Sequence, residues 1–170
     1  PAAPILLDIN VDGRKIQAVA QLTKQAFTFV FDRRTGEPVW PIEERAVPQT
    51  DVPGEMTVST QPFPSKPAAF DRQGLSTEDL IDFTPELHAE ALAIMARHRS
   101  GPLYTPPSIV EEDGTLGTLM LPNQGGGANW PGGAVDPETG ILYVGSSTKV
   151  GIMRLASDPS LSTMKYVAVG

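Results

Sequence analysis

Val30-Phe31-Asp32-Arg33-Arg34-Thr35-Gly36 returns later in the chain as Ala134-Val135-Asp136-Pro137-Glu138-Thr139-Gly140. Both stretches read apolar-x-Asp-x-x-Thr-Gly. The aspartate can bond its own following backbone and the glycine is free to take positive φ, so each copy reads as a turn between strands. Such self-similarity points to repeated β-units. The flanks of the first copy agree. Ile5 to Val11 is one strand, Asp12-Gly13 a strong hairpin signal, and Ile16 to Leu22 the returning strand. Ala26 to Phe31 is rich in aromatic and branched residues, and Glu37-Pro38-Val39-Trp40 begins a further extended piece. Four short strands joined by tight turns amount to one propeller blade. Around the second copy, Leu116 to Leu121 is apolar, Ile141 to Val144 reads as a strand, and Met164 to Val169 closes the chain in the same style.

Between the copies the character changes. Pro41, Pro48, Pro53, Pro62, Pro64 and Pro67 forbid continuous helix and spoil central-strand pairing, so 41–75 reads as an extended excursion resting on other structure. One clear helix follows over 85–99. Thr84 is its N-cap and Pro85 its first residue, Glu86 and Glu90 sit toward the positive end of the dipole, and Gly101 supplies the stop. Leu87, Ala91, Ile94 and Met95 share a face at helical spacing. Ser76-Thr77-Glu78-Asp79 begins a shorter helical turn. The chain thus divides into blade strands over 1–40, a Pro-rich and helical insertion over 41–115, and the next blade's strands over 116–170. A propeller cannot close in this length, which predicts a partial domain.

Composition narrows the chemistry. The 170 residues carry 13 basic and 20 acidic side chains, a net charge of -7, with no concentrated Lys or Arg to meet nucleic acid or an anionic membrane. There is no cysteine, which removes disulfides, thiolate metal sites and cysteine nucleophiles. Gly125-Gly126-Gly127 lacks the Lys-Ser/Thr ending of a phosphate loop. His88 and His98 lie ten apart and fall on different helix faces. Ser108 and Ser146 lack a nucleophile elbow. No carboxylate spacing makes a Ca²⁺ site.

Several stretches, modest singly and specific in their shared order, carry a family resemblance. They are Pro4-Ile5-Leu6-Leu7-Asp8, Thr23-Lys24-Gln25-Ala26-Phe27 running into Phe31 to Glu37, Val47-Pro48, Thr60-Gln61-Pro62-Phe63, Leu103 to Ser108, and Asn129-Trp130-Pro131-Gly132-Gly133. Together they resemble the quinoprotein dehydrogenases that depend on pyrroloquinoline quinone (PQQ), the membrane-bound glucose dehydrogenases among them. The resemblance implies a mainly β chain, part of an eight-bladed β-propeller with tryptophan-docking repeats and one inserted helix. It also implies oxidation of a sugar or alcohol hydroxyl by hydride transfer to PQQ held beside Ca²⁺. Electrons would pass to a quinone or cytochrome, in the periplasm, with any membrane attachment through sequence outside this chain.

Site residues carry over one by one. Lys24 matches the family's basic residue aimed at adjacent quinone oxygens, where an ammonium would stabilise developing charge. Read alone, it is a solvated lysine at a strand start. Asn129 matches an asparagine that contacts PQQ in alcohol-oxidising members, where the glucose dehydrogenases differ; its plain alternative is the end of a Gly-rich turn. Trp130 is read as packing or a funnel-wall aromatic near the cofactor rather than the ring that stacks on it. The general-base aspartate, the Ca²⁺ ligands and the stacking tryptophan are expected outside the chain, the aspartate just upstream of Pro1. The isolated piece is therefore expected to be inactive, and to associate with the rest of a propeller or with itself through unpaired strand edges. Two rival readings stay open: a non-catalytic propeller scaffold, and a structural fragment with no activity of its own.

Overall fold

The computed structural model describes residues 2–110 and 114–169. Pro1, Gly170 and 111–113, at the edges of the expected domain and inside the expected insertion, lie outside the described residues. The chain forms two compact units, the first made of Pro1–Arg45, Thr60–Gln73 and Pro122–Lys149, the second of Ala46–Ser59, Gly74–Leu121 and Val150–Gly170.

In the first unit, β1 (Ile5–Val11), β2 (Arg14–Leu22) and β3 (Thr28–Asp32) form an antiparallel sheet. Asp12 and Gly13 both take positive φ (51° and 79°), the turn whose twist suits a two-residue hairpin, and it sets the register Ile5↔Ala20 to Val11↔Arg14. Period-two alternation then sends Leu7, Ala18, Ala20 and Val30 into one buried cluster. Ala18 and Ala20 are wholly inaccessible, and such small side chains let Trp40, Val135 and Leu142 pack close against that face. The expected fourth strand is reduced to a bridge, Phe31↔Pro38, and one bond from Val39 N to Val30 O (2.9 Å). Pro38 has no N–H to donate, so regular pairing cannot run through it. Strands β4 (Ile42–Ala46) and β5 (Thr60–Pro64) make a two-stranded sheet.

The repeat is one turn built twice. Gly36 N and Gly140 N each donate to the carbonyl of their repeat's aspartate at 2.8 Å. Arg34 N and Glu138 N each donate to that aspartate's Oδ1, at 2.8 and 2.9 Å, and both glycines have positive φ. The second copy joins β8 (Gly133–Val135) to β9 (Leu142–Val144).

In the second unit, β10 (Gly151–Ala156) is central. It pairs with β11 (Val167–Val169), β6 (Ser108–Ile109) and β7 (Thr118–Met120), the β6 pairing being parallel. The chain's single α-helix among the described residues, α1 (Pro85–Ala96), starts where the Thr84 side chain accepts from Leu87 N at 3.3 Å. A 3₁₀ turn at Thr77–Asp79 carries a capping box from Ser76. The helix stops three residues short of the expected 99. Arg97 is its cap, and Arg99 leaves to bond Gly117 O and pair beside Thr118. Gly101 is therefore not the stop. The expected apolar face is also only partly used: Met95 joins Leu75, Leu119 and Leu121 in the core, while Leu87 and Ile94 remain exposed. Thr84→Ala should lower stability by about 1 kcal/mol, read as a smaller urea midpoint at constant m-value.

Candidate cofactor groove

The site begins with a five-residue turn. Thr23 N donates to Phe27 O (2.9 Å), Phe27 N to Thr23 Oγ1 (3.1 Å), and Ala26 sits at φ 68°. This geometry puts Lys24 at the exposed tip between β2 and β3. Its backbone carbonyl accepts from Gly127 N (2.9 Å), and its Nζ donates to Gln124 O (2.9 Å). A residue read early in the sequence is thus fastened at both ends to loop 123–129.

That loop is shaped by its own polar side chains. Asn123 Oδ1 accepts from Gly125 N (2.8 Å) and Gly126 N (3.3 Å), and Asn129 Nδ2 donates to Gly125 O (2.9 Å). Gly126 has φ 86°, and a Cβ there would stand 2.5 Å from Lys24 Cβ and 2.6 Å from Lys24 Cα. The loop can lie on the lysine only because this residue has no side chain. Beyond it, Ser147 N donates to Gly127 O (2.9 Å), which brings 145–147 alongside. Asn123, the three glycines, Asn129, Pro131 and Gly145–Ser147 enclose a groove of about 490 Å³.

Of the three expected cofactor residues, Lys24 and Asn129 meet at the two ends of one loop. Trp130 follows Asn129 in sequence, but its side chain is 79% exposed. The Asn129 amide spends Nδ2 on Gly125 and leaves Oδ1 buried without a partner among the described residues. That oxygen suits a ligand N–H; the bond from Nδ2 to Gly125 O fixes the amide in this orientation, since turning it over would set oxygen against oxygen. An ammonium on the loop, a spare amide acceptor and side-chain-free backbone fit a flat cofactor that carries both oxygens and a ring N–H, such as PQQ. Among the described residues no group of three or more His, Asp or Glu could hold a metal.

Sequence reading missed Asp71. Its carboxylate accepts from Ser146 Oγ and from Thr148 Oγ1 (2.6 Å). Burial works against its ionisation, but the bonds from Ser146, Thr148 and the Arg72 backbone outweigh it and hold the carboxyl below the ordinary aspartate range. No local motif marks it, because its partners lie 75 and 77 residues away.

Residues 1–169 match the family model described as the glucose/ethanol/alcohol dehydrogenase β-propeller domain of PQQ enzymes. The chain belongs to the PQQ-dependent dehydrogenases. It is similar to the quinoprotein glucose dehydrogenase of Escherichia coli K12, at 35% identity over 137 residues, covering 81% of this chain and 16% of that protein. It is also similar to the glycerol dehydrogenase large subunit of Gluconobacter thailandicus, at 33% over 132 residues (77% and 17%). A third relative is the quinate/shikimate dehydrogenase (quinone) of Acinetobacter baylyi, at 32% over 145 residues (85% and 17%). No solved structure matches the chain. The chain spans about a sixth of the length of these relatives. The mainly β architecture is therefore that of a PQQ-dehydrogenase β-propeller domain, as the sequence led one to expect.

Proposed function

We propose that this chain forms one wall of the PQQ site in an enzyme that oxidises a sugar or alcohol hydroxyl and passes electrons to a quinone or cytochrome. One observation carries the reading: Lys24 is bonded to the start of a glycine loop whose other end, Asn129, lines a groove and holds a buried Oδ1 with no partner among the described residues. PQQ bound there would accept the hydride. The chain's own residues would hold and orient it. Lys24 would turn its ammonium from Gln124 O toward the cofactor's oxygens, Asn129 would fix the ring's rotation, and the glycines would let the ring approach backbone closely. Trp130 would be a funnel-wall aromatic near the cofactor, screening it from water.

The general-base aspartate, the Ca²⁺ ligands and the stacking tryptophan belong, on this reading, to other segments of an eight-bladed propeller. Residues 41–115 would then be its Pro-rich and helical insertion. On the same reading the enzyme would work in the periplasm, and these 170 residues alone should not turn over. The glucose, glycerol and quinate named for the relatives all carry the hydroxyl this chemistry needs. A bare scaffold would need neither a cation at the loop nor a spare amide oxygen beside it. Titrating the complete apo-protein with PQQ should quench its tryptophan fluorescence at one equivalent. The Asn129→Ala protein should need more cofactor for the same quench. Identical titrations would remove Asn129 from the site, and no quench in the parent protein would remove the site itself.

A further inference from the structure

Residues 70–73 act as a strap across the first unit. Phe70 N donates to Ala26 O (3.0 Å) and Gln73 Nε2 to Gln25 O (2.6 Å), so the segment is fastened to the turn that carries Lys24. Between those two anchors stands Asp71, holding Ser146 through one carboxylate oxygen and Thr148 through the other. Residues 145–149 belong to no strand, so no ladder of backbone bonds positions them. Among the described residues, what bonds them to the rest of the unit is Ser147 N to Gly127 O and the two hydroxyls on Asp71. The Ser146 hydroxyl has a single hydrogen and lies within reach of Gly127 O (3.1 Å) as well. The carboxylate, being charged and nearer, takes it.

We propose that Asp71 is a positioning residue for the groove: it fixes the 145–148 wall against Gly127 and so sets the width of the slot between that wall and the Lys24–Asn129 loop. It need not touch the cofactor to do this. The inference rests on the reading of the groove as the PQQ site. Its physical basis is preorganisation, since a wall free to move costs ordering whenever a rigid ring binds. Asp71 itself belongs to none of the buried apolar clusters, so removing its carboxylate frees the wall without opening the core.

The test compares Asp71→Ala, the Ser146→Ala/Thr148→Val double variant, and all three changes together, in the complete apo-protein. Three quantities are read: amide hydrogen exchange over 145–149, the Kd for PQQ from fluorescence quenching, and the melting temperature. Asp71→Ala should speed exchange over 145–149 and raise the Kd roughly tenfold, with little change in melting. The double variant should do the same, and the triple variant should add nothing, because all three remove one connection. Asp71→Asn, which keeps one acceptor oxygen, should recover part of the affinity. Should Asp71→Ala fail to fold, the double variant supplies the same comparison. An unchanged Kd beside faster exchange overturns the proposal, as does a triple variant whose losses add. If the parent protein binds no PQQ, the reading of the groove falls first and the role of Asp71 with it.

Discussion

Lys24→Ala in the complete enzyme, reconstituted with PQQ and Ca²⁺, should lower kcat by about 10²- to 10³-fold while the melting temperature barely moves. The side chain is exposed and makes one bond, to Gln124 O. Losing a single solvent-accessible bond costs the fold about 1 kcal/mol or less. Losing one preorganised charge beside developing negative charge costs the reaction on the order of 3 to 4 kcal/mol, because no water stands ready to replace it. The two measurements should therefore separate. Lys24→Arg should restore part of the rate, since the charge is kept while its shape changes. Unchanged turnover in Lys24→Ala would return the residue to the solvated-lysine reading. A large fall in melting temperature would make it a structural residue instead.

Gly126→Ala should be nearly as damaging, by a different route. The added Cβ must sit at φ 86°, where an L-residue is disfavoured by roughly 1 to 2 kcal/mol. It would also stand 2.6 Å from the Lys24 Cα, which is backbone and cannot swing aside. The total should reach about 3 kcal/mol, and the relief available to the chain is to lift loop 123–129 off the lysine. Gly36→Ala is the control. Gly36 has nearly the same φ, 81°, with nothing near its missing Cβ, so it isolates the conformational cost from the collision. Urea unfolding should show a clearly lower midpoint for Gly126→Ala than for Gly36→Ala, and PQQ affinity should fall only in the former. Equal behaviour of the two variants would mean that the loop has room the geometry denies.

The repeated turn was legible in the sequence because everything it needs lies within five residues. Asp32 and Gly36, then Asp136 and Gly140, bond to themselves, and the same bonds recur at both places. The capped helix start at Thr84 was legible for the same reason. Its end was not, because Arg99 is drawn away by Gly117, Thr118 and an ion pair with Asp51, partners that helical spacing does not encode. At the groove, Lys24 and Asn129 stood out through resemblance, whereas Asp71 and Gly126 did not. Asp71 is an ordinary loop aspartate until Ser146 and Thr148 arrive. Gly126 is one glycine of three, and what separates it from Gly125 is the lysine lying beneath it.

The bond from Lys24 to Gln124 joins positions 100 residues apart, and this bears on the order in which the first unit assembles. The hairpin β1–β2 closes through two residues, Asp12 and Gly13, and can form at once. Bringing the glycine loop onto the Lys24 turn must confine a chain segment tens of times longer, at an extra entropic cost of about 2 kcal/mol compared with a ten-residue loop. From the loop itself only the small Ala128 side chain enters a buried apolar cluster to offset it. The groove should therefore be the last feature of this unit to form and the first to open under mild denaturant, well before the sheet unravels. A ligand seated there would act as a clasp on that late step, so folding and cofactor capture would be one thermodynamic event.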